Sequence, residues 1–113
     1  MSITTERLSS LIQRELAPIV NKAINNEKVG YINLTEVKVT KDLLVAKIYY
    51  TILSDDEKIL ELAENELNKA NGQIRMELAK KIKNIRKIPE LNFLYDEALA
   101  YGNHIDKLLK EIK

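Results

Sequence analysis

The sequence predicts an α+β fold, a three-stranded sheet with helices packed on one face. Three observations lead there. Apolar residues recur at helical spacing near the start of the chain and again after residue 56. Between these segments lie two runs rich in β-branched and aromatic residues, joined by a connection too short for a parallel crossover. A third short run of the same kind follows Pro89. With 113 residues, the chain is read as a single domain, 1–113, large enough for one core.

The first helix is marked by Leu8, Leu11, Ile12, Leu16, Ile19, Val20, Ala23 and Ile24. Thr4 or Thr5 is placed to cap it, with Glu6 near the positive end of its dipole. Pro18 lies inside the pattern and removes one backbone donor, so a bend or a split into two pieces is expected. Asn25, Asn26 and Gly30 end the segment.

Residues 31–39 form the first expected strand. Ile32 and Leu34 share one parity and Val37 and Val39 the other, which predicts a bulge around Thr35 and Glu36. Thr40, Lys41 and Asp42 read as a turn. Residues 43–53 form the second strand, with Leu44, Ala46, Ile48, Tyr50 and Ile52 on one face and Lys47 near the middle of the other. This strand is expected to be central, covered on one face and partly open on the other.

Ser54 and Glu57 have the spacing of a capping box, and Asp55 and Asp56 add charge at the same helix start. Ile59, Leu60, Ala63, Leu67 and Ala70 make the stripe of that helix. Ala70-Asn71-Gly72 is expected to break it. Helical periodicity then resumes with Ile74, Leu78, Ile82, Ile85 and Ile88 until Pro89 stops it. Residues 90–95 are the third strand. Asp96 can cap a last helix carrying Leu99, Ile105, Leu108, Leu109 and Ile112.

Charge is sorted along this chain. Residues 69–87 carry a net +6, whereas the whole chain carries +1. A basic helix opening at a glycine break is a plausible phosphate-binding surface. On a helical wheel, Met76, Lys80, Lys83 and Lys87 lie opposite the apolar stripe, Arg75 and Arg86 on a flank, and Lys81 near the apolar edge, its stem snorkelling. From charge alone a merely solvated helix face stands slightly ahead. Gly72 can equally serve an unusual backbone angle between two packed helices. The acids of residues 55–66 lack a calcium-loop spacing and are read as helix capping and a negative face.

Other functional classes are disfavoured. The chain has no cysteine and one histidine, His104, so neither a thiolate zinc site nor a His-centred triad is expected. There is no Gly-rich nucleotide loop, so no enzyme, no cofactor and no small-molecule substrate are expected. No run has the length of a membrane span and no secretion signal opens the chain, so a cytoplasmic protein is the economical reading. Tyr31, Tyr49, Tyr50, Tyr95 and Tyr101 can stack on bases, but the preferred reading is half-buried core or sheet edge. A protein-interaction domain without an RNA role is the alternative from another class.

The order helix, strand, strand, helix, break, helix, strand is that of the type II KH fold, here followed by a last helix. KH domains bind single-stranded nucleic acid at a Gly-rich break between two helices. The break here is an Ala-x-Gly. With it go Ile12-Gln13-Arg14-Glu15-Leu16 in the first helix and Leu34-Thr35-Glu36-Val37-Lys38-Val39-Thr40-Lys41-Asp42 and Ala46-Lys47-Ile48-Tyr49 in the hairpin. Ile74-Arg75 follows the break, and Ile88-Pro89-Glu90-Leu91-Asn92-Phe93-Leu94-Tyr95-Asp96, Gly102 and Ile105 close the pattern. Over essentially its whole length the chain resembles the ribosome-binding factor A family, bacterial assembly factors of the small ribosomal subunit. Pro18 departs from the family pattern, as does a chain that stops after its last helix without the basic tail of some members.

The resemblance implies a monomeric, non-enzymatic RNA-binding protein that engages the immature 30S subunit. Its task would be late maturation and 5′-end processing of 16S rRNA, with relevance to growth in the cold. It also reverses the balance on the basic segment. Lys69, Ala70, Asn71, Gly72, Arg75, Lys80, Lys83, Arg86 and Lys87 become the expected RNA-binding residues, positioning the protein on phosphates without reading much sequence.

Overall fold

The computed structural model describes residues 4–82 and 87–99. Its elements are helix α1 (Thr5–Ala23), strands β1 (Asn33–Val39) and β2 (Val45–Thr51), helix α2 (Glu57–Lys81) and strand β3 (Glu90–Tyr95). Residues 97–99 begin a further helical turn, in which the Leu99 N–H donates to Asp96 Oδ1 at 3.1 Å. The expected last helix beyond residue 99 lies outside the described residues, as do Tyr101 and His104.

Helix α1 starts where Thr4 Oγ1 accepts the Arg7 N–H at 3.2 Å. Leu8, Ile12, Leu16 and Val20, spaced by four, are fully buried, each contributing roughly 1.5–3 kcal/mol of apolar burial. Pro18 does not split the helix, which runs unbroken from Thr5 to Ala23. Pro18 and Arg14 are both exposed, so the carbonyl deprived of its partner can turn to water. Beyond the helix, Gly30 takes a φ of +70°, the left-handed conformation a side chain disfavours, as the chain turns towards β1.

The sheet has the order β1-β2-β3, with β2 central, antiparallel to β1 and parallel to β3. The expected bulge is present as a register shift between Leu34 and Glu36. Ala46, Ile48 and Tyr50 of β2 are buried, while Lys47 lies on the open face opposite Lys38. Helix α1 covers the outer edge of β1 with polar side chains. Val39 N–H donates to Ser9 Oγ at 3.2 Å, and Gln13 Nε2 donates to the Leu34 carbonyl at 3.1 Å. Asn21 bonds Ile32 on both sides, accepting its N–H at 2.8 Å and donating to its carbonyl at 2.9 Å. These side chains do for the edge what a fourth strand would do, and they block pairing with another chain.

Three expectations about α2 are corrected. The cap is Asp56, whose side chain accepts the Lys58 N–H at 2.8 Å; Ser54, two residues before the cap, instead accepts the Asp56 N–H on its Oγ at 3.1 Å. The break at Ala70-Asn71-Gly72 is absent, and α2 is a single helix of 25 residues. Gly72 does not adopt a positive φ, and an added Cβ would meet nothing within 4 Å. One glycine in a strongly periodic stripe costs about 1 kcal/mol, too little to open a helix whose buried face continues through Leu67, Ile74 and Leu78. Finally, α2 ends at Lys81 rather than near Pro89, with the Ile82 N–H closing onto the Leu78 carbonyl. β3 then runs parallel to β2. Ile82, Ile88 and Leu91 are all buried, so apolar residues that read as continuing helix pack into the core after the helix has ended.

Candidate nucleic-acid interface

Successive turns of α2 place Lys69, Gly72, Met76 and Lys80 on its outward face, where all are exposed; Met76 is 61% exposed. Lys81 is also exposed, and with Lys80 it fills the last turn, where cations are favoured by the helix dipole. The first half of the helix carries exposed Glu57, Glu61 and Glu64. One helix thus has an acidic start and a basic end, and the two lysines of the last turn are displayed to solvent.

Ala70 is half-buried against the core, and Gly72 leaves a bare strip of helix surface. Because the helix is unbroken, the N–H groups here are used by its own hydrogen bonds and there is no second helix N-terminus. Phosphate recognition by free backbone donors at this point is therefore corrected. Side chains are left to supply it.

Asn71 and Arg75 face inward, towards the returning chain. Asn71 Nδ2 donates to the Leu91 carbonyl at 3.0 Å. Arg75 donates from Nη2 to the Ile88 carbonyl at 2.6 Å and from Nε to the Pro89 carbonyl at 3.3 Å. The two side chains tie the approach to β3 onto α2. Lys87 is exposed just before that approach, in a segment after the helix rather than on it. Lys83 and Arg86 lie outside the described residues.

The sheet adds cations that the reading of the basic segment left out. Lys38 and Lys47 are exposed and directly opposite across β1 and β2, and Lys38 Nζ lies 5.7 Å from the Tyr49 ring centroid. Strict alternation along β2 is the signal for Lys47, whereas the bulge hides the parity of Lys38. Tyr50 is core, packed edge-on against Tyr95 with ring centroids 5.9 Å apart. Burial, with Glu64 and Tyr95 adding negative charge nearby, pushes the Tyr50 hydroxyl up to about 12. Tyr31 is 59% exposed, so it does not share the environment of Tyr50. The Asp96 carboxyl is held below its ordinary range by the Thr35 hydroxyl and then by the Leu99 N–H. Among the described residues, no three acidic or histidine side chains gather as a metal site, and no helix is long and apolar enough to cross a membrane.

Comparison with known proteins gives these features a family. A family model described as Ribosome-binding factor A matches residues 4–109. A relative named Ribosome-binding factor A from Phytoplasma mali is 56% identical over 112 residues, 99% of this chain and 98% of its own length. One of the same name from Pelobacter propionicus is 41% identical, covering 99% of this chain and 90% of the relative. The crystal structure of ribosome-binding factor A from Thermus thermophilus superposes with a TM-score of 0.68 at 23% identity, covering 80% of this chain and 93% of that one. A model of the Thermus thermophilus protein fitted into a cryo-EM map of its 30S complex gives 0.67 at 24% identity, with the same coverage. The structures agree in fold, the relatives agree along nearly the full sequence, and the chain belongs to the ribosome-binding factor A family.

Proposed function

We propose that this protein binds the immature 30S ribosomal subunit through 16S rRNA, without catalysing a reaction, and assists late maturation including processing of the rRNA 5′ end. The observation that carries the reading is the basic end of α2. In a member of this family, Lys69, Lys80 and Lys81 stand exposed on one helix and Lys87 stands exposed before β3. Lys83 and Arg86 belong to the same basic segment and are assigned to the same role. Asn71 and Arg75 support it by tying residues 88–91 to α2, and Ala70 and Gly72 by keeping the helix surface low where RNA approaches.

Long lysine side chains on a rigid helix act as point charges for phosphates, fixing position rather than sequence. The acidic start of α2 repels RNA and so orients the protein on it. The protein acts as a cytoplasmic monomer. It holds an rRNA conformation that rearranges slowly, which ties it to growth in the cold. The Thermus thermophilus relative in its 30S complex is a precedent for the partner.

Co-sedimentation with immature and mature small subunits over a salt series tests this. Binding should weaken with salt and be markedly weaker in Lys69→Glu/Lys80→Glu, which should remain folded because both side chains are exposed. Failure to bind either subunit at low salt removes the reading. Binding that ignores salt would instead favour a protein contact. Cells depleted of the protein should accumulate 16S rRNA with unprocessed 5′ ends, most strongly in the cold.

A further inference from the structure

The last turns of α1 and the second half of α2 diverge enough to leave a groove of 320 Å³, lined by Ile19, Lys22, Ala23, Gln73, Ile74 and Glu77. Pockets that hold small ligands run from roughly 300 to 1,000 Å³, so this one has room for a single planar group. Its chemistry is layered. Ile74 is fully buried, and with half-buried Ile19 and Ala23 it forms an apolar floor. Above the floor stand a cation from α1, Lys22, and an amide and a carboxylate from α2, Gln73 and Glu77. The Glu77 carboxylate touches Lys80 Nζ at 3.2 Å, but Lys80 is largely exposed and Glu77 partly so, and such a pair is weak and easily exchanged.

We propose that this groove is a pocket for one unpaired purine base of the bound RNA, with guanine preferred. The inference rests on the RNA-binding reading above and gives that RNA a second kind of contact. Three arguments select the occupant. An apolar floor suits the face of a base, which gains by leaving water. The walls carry opposite charges, as the guanine edge demands: its N1–H and N2–H groups donate to a carboxylate, and its O6 accepts from an ammonium. Gln73 adds one amide that can donate or accept. Adenine offers that carboxylate a single donor group and gives the ammonium no carbonyl. The groove is also continuous with the basic face, because Glu77 in its wall is one helical turn from Lys80. A strand held by its phosphates at Lys69 and Lys80 can turn one base inward between the helices.

The test uses the full chain and follows backbone amide chemical shifts by NMR during titration with guanosine monophosphate, adenosine monophosphate or ribose phosphate. Guanosine monophosphate should shift Lys22, Ala23, Gln73 and Glu77, adenosine monophosphate should do so more weakly, and ribose phosphate should leave the groove unmoved. Glu77→Gln, a change at a partly exposed side chain, should weaken guanosine monophosphate by about tenfold and adenosine monophosphate less. Equal groove shifts with ribose phosphate would make this a phosphate site and overturn the base pocket. So would no groove shifts with guanosine monophosphate. If the groove stays silent while small subunits still bind with salt sensitivity, only the pocket fails; if subunit binding is absent too, both readings fall.

Discussion

Asn21 shows how much a single polar side chain can hold. It occupies the α1 face that meets the chain just before β1 and satisfies both backbone groups of Ile32, a residue with no exposed surface. Asn21→Ala would leave a buried N–H and a buried carbonyl unpaired, so urea denaturation should show a loss of about 1–3 kcal/mol. Two titrations also belong at this scale. The Tyr50 hydroxyl, raised to about 12, favours the folded state fully below the ordinary tyrosine value, and that stability is lost as pH rises from there through about 12. Tyr50 phenolate absorbance should therefore appear only above the ordinary tyrosine range, and Tyr50→Phe should flatten the alkaline fall in stability. Asp96 runs the other way. Its lowered value adds stability above the unfolded carboxylate range, and this is lost as pH falls through the folded value. Thr35→Val removes the largest cause, so the variant should lose stability near neutrality and match the parent in acid, as read from urea midpoints at both pH values.

At the scale of elements, the two residues that looked like helix breakers both sit inside helices. Gly72 has open space around its would-be Cβ and a helical backbone, so Gly72→Ala should stabilise the protein by about 0.5–1 kcal/mol. A destabilised variant would mean that this position needs a conformation only glycine adopts. Pro18→Ala should restore the hydrogen bond to the Arg14 carbonyl and raise the thermal midpoint. Sequence reading located α1, its cap to within Thr4 or Thr5, the bulge at 34–36, the central place of β2 and the extent of β3 because each leaves a local trace in period, parity or capping chemistry. It misplaced the cap and the end of α2 because several residues offered the same local signal. Asp56 competes with Ser54 for the cap, and Ile82 and Ile88 continue a helical period while packing into the core beyond the helix end.

At the scale of the molecule, the described helices cover one face of the sheet, and the described residues include two basic solvent surfaces, the end of α2 and the open sheet face with Lys38 and Lys47. About four phosphate contacts with single-stranded RNA would give a slope near −3 for log affinity against log salt. The Lys69→Glu/Lys80→Glu variant should show a shallower slope by about half, measured with the same small subunits. Lys38→Glu/Lys47→Glu, on the other surface, tests whether the sheet also touches RNA; the proposed interface on α2 predicts that this slope stays with the parent.

The sequence by itself determined the fold class, the stripe that buries α1, the covered face of β2 and the sorting of charge towards residues 69–87, because periodicity and composition act between neighbours on the chain. Tertiary structure decided what those charges can do. Arg75 belongs to the basic segment in sequence, yet its guanidinium is bound to carbonyls thirteen and fourteen residues away, and Asn71 reaches twenty residues to Leu91. Glu77 is the lone acid of the basic segment in sequence, and in space it forms a groove wall with Lys22 from another helix. A side chain's pattern is set by its nearest turns, but its partners are set by where the chain comes back, and that depends on the energy of the whole core.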